Sequence, residues 1–268
     1  MEQERGEKVF ADAETTSRVT LSAVNSINWA RLMAQIVYYF YAAVRLGAPE
    51  RPVAFSVPTG NFGDVFAGYV AAQMGLPVAK LIVATNVNDI LHRALSSGDY
   101  SCGVVTPTST PSMDIQVSSN FERLLFDLGG RDGAATAGQM AGFEASRAMQ
   151  LTNAQREGAA GLFSSARIDG DAMSMAMRWA HDNASVVLDP HTAIGLAAAR
   201  GTDLPDDVPV VTLATAHPAK FRDAVERATG VRPSLPMRLS GLFDREERYE
   251  SLPATIEAVR GYVLERSA

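Results

Sequence analysis

The stretch Ser56-Val57-Pro58-Thr59-Gly60-Asn61-Phe62-Gly63-Asp64 reads as a buried strand, a turn bearing two glycines, and the start of a helix. Val53 to Val57 is a short apolar run rich in β-branched residues and broken by Pro58 and Gly60, the pattern of a strand covered on both faces. The helix beyond it runs from about Phe62 to Met74 and is stopped by Gly75 and Pro77. Without a Cβ, Gly60 and Gly63 let backbone amides come close to a ligand. The first helical turn adds N–H groups with no intrahelical acceptor and the positive end of the helix dipole, which together suit a phosphate. The turn lacks the lysine and Ser/Thr of a nucleotide P-loop, and it lacks the G-x-G-x-x-G spacing of dinucleotide folds. An ordinary strand-to-helix turn with Asp64 as its first-turn acid fits the same residues.

Outward from this turn the alternation continues. A helix is expected from about Ile27 to Leu46, closed by Gly47 and Pro49. Leu81 to Ala84 reads as a second strand, Asp89 to Leu95 as a helix and Gly103 to Val105 as a further strand. Val186 to Leu188 and Val208 to Ala214 read as strands around a helix from about Thr192 to Arg200. Strand and helix alternating at this spacing predict an α/β fold, a mostly parallel open sheet flanked by helices. A run of helical segments, about 119–182, forms an insertion. The expected division is a polar lead-in over 1–20, an α/β domain over 21–235, and a helical tail over 236–268 with a closing helix near Leu252 to Glu265.

Composition narrows the partners. With a net charge of −6 and a pI near 5.3, the chain lacks the basic balance that nucleic acid or an anionic membrane would favour. Hydrophobic residues make up 47% of 268 and mean hydropathy is near zero, the values of a globular chain. Cys102 is the only cysteine, so no intrachain disulfide can form and a reduced cytoplasmic setting is expected. The opening MEQERGEK has no apolar signal core, and no apolar run reaches membrane-spanning length. His92, His181, His191 and His217 show no metal-binding spacing.

Three further groups carry chemistry. Asn25-Ser26-Ile27-Asn28-Trp29-Ala30-Arg31 gathers amides, a hydroxyl and a guanidinium at a helix start, either to clamp an oxyanion or simply to cap the helix. Leu188-Asp189-Pro190-His191-Thr192 and Thr215-Ala216-His217-Pro218 each follow an apolar run, where ligands of an open parallel sheet sit, though both also read as capped turns. Ser119 with Glu122 three residues on reads as a capping box.

Taken together, NSINWAR (25–31), SVPTGNFGD (56–64), MDIQVSSNFERLLF (113–126), LDPHTAIG (188–195) and TLATAHPAKF (212–221) resemble threonine synthase, in that family's order, across about residues 20–235. The wording is similar to the bacterial and fungal branch. The resemblance implies a tryptophan-synthase-like fold, pyridoxal 5'-phosphate as cofactor, and conversion of O-phosphohomoserine and water into threonine and phosphate. It implies that Gly60, Asn61, Phe62 and Gly63 hold the cofactor phosphate, that Thr215 meets the pyridine nitrogen, and that Asn25 and Arg31 hold the substrate phosphate. NSINWAR argues against dehydratases and cysteine synthases of the same cofactor class, which anchor substrate through other segments.

One departure matters chemically. The family's Schiff-base lysine lies in a Ser-Phe-Lys-Asp-type segment well before NSINWAR. The only lysines here are Lys8, Lys80 and Lys220, none in that context. The expectation is therefore a C-terminal portion of the enzyme, truncated and inactive by itself. The alternative is a non-catalytic phosphate-binding remnant, or a subunit that completes a separate N-terminal half.

Overall fold

The computed structural model describes residues 10, 12–22 and 25–267; Lys8 lies outside them. Asn25–Leu235 forms one compact unit. Four parallel strands, β1 (Val53–Pro58), β2 (Val78–Thr85), β3 (Phe163–Arg167) and β4 (Val210–Thr212), make a single sheet in the order β3-β2-β1-β4. Register places Ser56 beside Ile82 on one side and Thr212 on the other. The helices of this unit are α1 (Trp29–Arg45), α2 (Gly63–Gln73), α3 (Ile90–Ser97), α4 (Phe121–Leu128), α5 (Gly133–Ser146), α6 (Asn153–Ala160), α7 (Gly170–Ala184), α8 (Pro190–Arg200) and α9 (Arg222–Thr229).

The central strands are apolar without alternation because both faces of the sheet are covered. The pleat still sorts their side chains. Phe55, Val57, Leu81 and Val83 pack with Leu32, Tyr39 and Val65 of α1 and α2, whereas Ile82 and Ala84 pack with Met173, Met177, Ala193 and Ile194 of α7 and α8. Gly195 lets α8 approach the sheet closely, since a Cβ there would lie 3.0 Å from Pro58 Cγ and from Thr212 Cγ2. In the same contact the Ser56 hydroxyl donates to the Gly195 carbonyl at 2.6 Å.

The α/β architecture expected from sequence is the one observed, with differences at four segments. Gly103 to Val105 is irregular. Its Gly103 N–H donates to the Gln116 side chain rather than to a neighbouring strand, and Val104 is 91% exposed. Val186 to Leu188 is also not a strand: Ser185 takes the left-handed conformation, and the Val186 N–H turns back to Ala180 to close α7. Conversely, 119–182 is not wholly helical, because β3 lies within it as the edge strand beside β2. Its sequence, FSSAR, has one strongly apolar residue and so gave no strand signal. The fourth strand is shorter than expected, Val210–Thr212.

The flanks, described over residues 10, 12–22 and 236–267, belong to a second unit. A short helix (Ala13–Arg18), capped by Asp12, lies against the helix Ile256–Arg266, where Arg260 pairs with Asp12 at 3.2 Å and with Glu14 at 2.5 Å. No helix among the described residues is long and apolar enough to cross a membrane.

Candidate functional site

β1 hands the chain to the glycine turn at its carboxyl end. The Thr59 N–H donates to the Ala84 carbonyl at 2.8 Å, and the Thr59 hydroxyl folds back on the Val57 carbonyl at 2.6 Å. Gly60 then passes so near the Pro111–Met113 turn that a Cβ would sit 2.5 Å from the Ser112 carbonyl oxygen. At this position the missing Cβ therefore accommodates the protein's own backbone. Phe62 adopts φ +62°, the left-handed region, at a cost of about 1–2 kcal/mol for a non-glycine residue. Burial of its ring against Phe121 (5.2 Å between centroids) and Phe163 (5.9 Å) holds it there. Phe62 caps α2 without a side-chain hydrogen bond, so the N–H groups of the first turn have no intrahelical acceptor. Residues 58–65 line a cavity of about 180 Å³ together with Ser26, Arg31, Gln35 and Ser112.

The segment 118–120 braces this turn. The Ser118 hydroxyl donates to the Gly60 carbonyl at 2.8 Å, and the Ser119 hydroxyl to Asn61 Oδ1 at 3.3 Å. Asn120, fully buried, donates from both its backbone N–H (3.1 Å) and its carboxamide (2.9 Å) to the Asn61 carbonyl. The expected capping box is absent: Asn120 is the N-cap of α4 and makes no side-chain cap, because the serines are turned toward the loop. A capping signature and a loop brace draw on the same small hydroxyl residues, and only the position of the facing loop separates them. Asn28, rather than Asn25 or Ser26, caps α1 by accepting from the Ala30 N–H at 2.9 Å; Asn25 Oδ1 accepts from the Ile27 N–H. Of the Asn25–Arg31 group, Ser26 and Arg31 line the cavity.

Asp64 also lines the cavity, in the first turn of α2. Burial raises its pKa from 3.8 to about 6, and the hydrogen bond from the Tyr39 hydroxyl (3.2 Å) offsets only part of that. The same hydroxyl donates to the Asp64 carbonyl at 2.8 Å. Between pH 3.8 and about 6 the folded chain binds more protons than the unfolded one. Stability from this group is thus complete at low pH and is lost as pH rises through about 6. Asp64→Asn should escape that loss. Relative to the parent, its melting temperature should climb between pH 4 and pH 7, by the equivalent of at most about 3 kcal/mol. Parallel melting curves across that range would contradict the assignment.

The second cluster lies on the same carboxyl edge, since β4 neighbours β1 in parallel and the Leu213 N–H donates to the Ser56 carbonyl at 3.0 Å. Asp189 caps α8 and is buried. Its carboxylate accepts from the His191 N–H (2.9 Å), the His191 ring Nδ1 (3.0 Å) and the Thr192 hydroxyl. Burial alone would raise its pKa, but these bonds outweigh it and leave the carboxyl below its ordinary range. Thr192 Oγ1 in turn accepts from the Thr215 N–H at 3.2 Å, which ties the two loops together. The Thr215 side chain is exposed at this edge.

Neither described lysine stands at the cavity. Lys80 lies near the amino end of β2, and its Nζ donates to the carbonyls of Gly161 (3.0 Å) and Ala160. Lys220, exposed in the turn Pro218–Phe221, has its Nζ 5.6 Å from the Phe221 ring centre. The brace Ser118–Asn120 and the Tyr39–Asp64 pair are site residues that sequence reasoning did not identify, since neither contact has a spacing signature.

Comparison with known proteins adds the following. Residues 192–263 match the family model described as threonine synthase, C-terminal. Threonine synthase of Pseudomonas aeruginosa is 52% identical over 262 residues, covering 97% of this chain and 56% of that protein. The crystal structure of threonine synthase from Brucella melitensis, which is bound to pyridoxal phosphate, superposes with a TM-score of 0.92 at 49% identity, covering 99% of this chain and 57% of that one. The yeast enzyme superposes with a TM-score of 0.86 at 35% identity over 99% of this chain and 57% of its own. The chain thus spans a little more than half the length of the relatives it matches.

Proposed function

We propose that the chain, which is similar in sequence and fold to the C-terminal portion of the threonine synthases, furnishes the phosphate-holding part of an enzyme converting O-phosphohomoserine and water into threonine and phosphate. The observation that supports this most is the cavity itself, in which the first turn of α2, without a side-chain cap, and Arg31 line one space at the carboxyl edge of a parallel sheet.

The cavity fits the phosphate of pyridoxal 5'-phosphate: an uncapped helix start, a left-handed residue that turns backbone inward, and a volume of about 180 Å³. Gly60, Asn61, Phe62 and Gly63 would hold that group through backbone N–H donors, and Thr215 would meet the pyridine nitrogen with its hydroxyl. Arg31 and Asn25 would hold the phosphate of the substrate, with Arg31 able to bond it bidentately. When bound, the cofactor ring supplies the electron sink for carbanion chemistry. The residues of this chain orient both phosphates and exclude water from the turn behind Phe62.

Among the described residues no lysine stands at the cavity, so the covalent amine and the proton relay would come from a further lysine-bearing segment. A surface exists that could receive it. Trp29, Met33, Val37, Tyr41 and Val44 form a strip along α1 that is 45–63% exposed, and with Val70 and Met74 they line an apolar groove. Tyr39 of the same helix lies outside this strip, buried and bonded to Asp64.

Binding tests the reading directly. Pyridoxal 5'-phosphate should bind the chain reversibly and be displaced by inorganic phosphate. Pyridoxal without its phosphate should bind at least about tenfold more weakly, the worth of one charge-assisted contact. Equal affinities for the two would overturn the phosphate-cradle assignment.

A further inference from the structure

Asn120 reaches three parts of the chain at once. Its carboxamide donates to the Asn61 carbonyl of the glycine turn at 2.9 Å and to the Ser26 carbonyl of the segment bearing Arg31, also at 2.9 Å. Its Oδ1 accepts from Arg123 Nε at 3.0 Å, and Arg123 Nη2 donates to the Ile27 carbonyl at 3.0 Å while its guanidinium lies 5.8 Å from the Trp29 ring centre. The three parts are close enough that a Cβ on Gly63 would meet Asn120 Nδ2 at 3.4 Å and the Ser26 carbonyl at 3.5 Å. With no exposed surface, Asn120 has no water to take over these bonds. Its side chain joins the turn at 60–63 to the segment that carries Arg31.

We infer that Asn120 is a positioning residue which couples the two halves of the anion site, so that Arg31 contributes to anion binding only while Asn120 holds its segment against the glycine turn. This rests on the reading that the cavity takes a phosphate. The physical reason is geometric. Two carbonyls bonded to one planar carboxamide have their separation set by it, and Arg31 stands five residues beyond the nearer of them while lining the same cavity as the turn. The hydroxyls of the neighbouring serines brace the turn alone, Ser118 at the Gly60 carbonyl and Ser119 at Asn61 Oδ1.

A double-mutant cycle on the full chain decides the matter, with inorganic phosphate as the titrant. Arg31→Ala and Asn120→Ala should each weaken phosphate binding by about tenfold, and the double variant should be little weaker than the worse of the two. A merely structural role for Asn120 would instead multiply the two effects to about a hundredfold, and that result overturns the inference. Met177→Ala, a core truncation on the opposite face of the sheet, should lower the melting temperature while leaving phosphate affinity unchanged. If Asn120→Ala does not fold, Arg123→Met serves in the same cycle, because it removes the bonds to Asn120 and Ile27 and keeps an apolar stem. Additive effects of Arg123→Met and Arg31→Ala would overturn the inference equally. A parent chain that binds no phosphate would instead sink the reading of the cavity, and the coupling with it.

Discussion

A solution of this chain with O-phosphohomoserine and pyridoxal 5'-phosphate is expected to release no phosphate, and release should begin when a fragment bearing the lysine segment of a threonine synthase is added. The amine that holds the cofactor aldehyde also relays the proton, so its absence removes two functions rather than weakening one. Lys80 is engaged with the Ala160 and Gly161 carbonyls near the amino end of its strand, whereas the glycine turn and Thr215 follow the carboxyl ends of theirs. Lys220 lies beyond the Thr215 loop, in a turn with its ammonium near the Phe221 ring. The apolar strip along α1 gives the added fragment a surface to bury. Phosphate production is the readout. A rate in the mixture equal to that of the added fragment alone would mean that the two parts do not assemble.

Gly60→Ala should have the largest effect of any single substitution in the cradle. The new Cβ would lie 2.5 Å from the Ser112 carbonyl oxygen, and that oxygen belongs to backbone, which cannot rotate away as a side chain would. The turn at 60–63 must therefore move relative to the Pro111–Met113 turn, and the bond from Ser118 to the Gly60 carbonyl is strained with it. A displaced turn no longer aims the first N–H groups of α2 at the cavity. Phosphate affinity should fall by more than about tenfold, and stability by about 1–3 kcal/mol, the usual cost of overpacking. Gly138→Ala supplies the contrast. In α5 its Cβ would meet nothing within 4 Å, so it should leave phosphate binding alone and add up to about 1 kcal/mol of stability. Calorimetric titration and thermal melting of the two variants check both statements.

The residues explain which parts of this architecture could be read in advance. Val53–Pro58 and Val78–Thr85 announced themselves because strands covered on both faces are apolar throughout, and a glycine or proline bounds each run. Phe163–Arg167 did not, because an edge strand with Ser164 and Ser165 inside it carries too little apolar signal. Val186 misled for the opposite reason: an apolar, β-branched residue follows a helix and simply returns to it through a left-handed Ser185. The site divides along similar lines. The loops at 58–64 and 215–218 were visible because each follows a strand, whereas the one at 189–192 follows an irregular apolar run, and the structure brings Pro58, Thr192 and Thr215 to one edge through Gly195 and the Thr192 hydroxyl. The brace through Ser118 and Asn120 was not visible, since it joins residues some 58 positions or more apart and depends on where α4 packs. Nor could sequence show that Tyr39 leaves the apolar strip of α1 to bond Asp64, which the 3.6-residue period alone would leave open.

The central claim is that this chain holds a cofactor phosphate but not the cofactor's lysine. Borohydride reduction tests it most directly, applied to the chain with pyridoxal 5'-phosphate, alone and mixed with the lysine-bearing fragment, and followed by peptide mass spectrometry. The account predicts no modified peptide from this chain in either sample, and cofactor fixed to the lysine of the added fragment in the mixture. Stoichiometric cofactor on Lys8, Lys80 or Lys220 would contradict it.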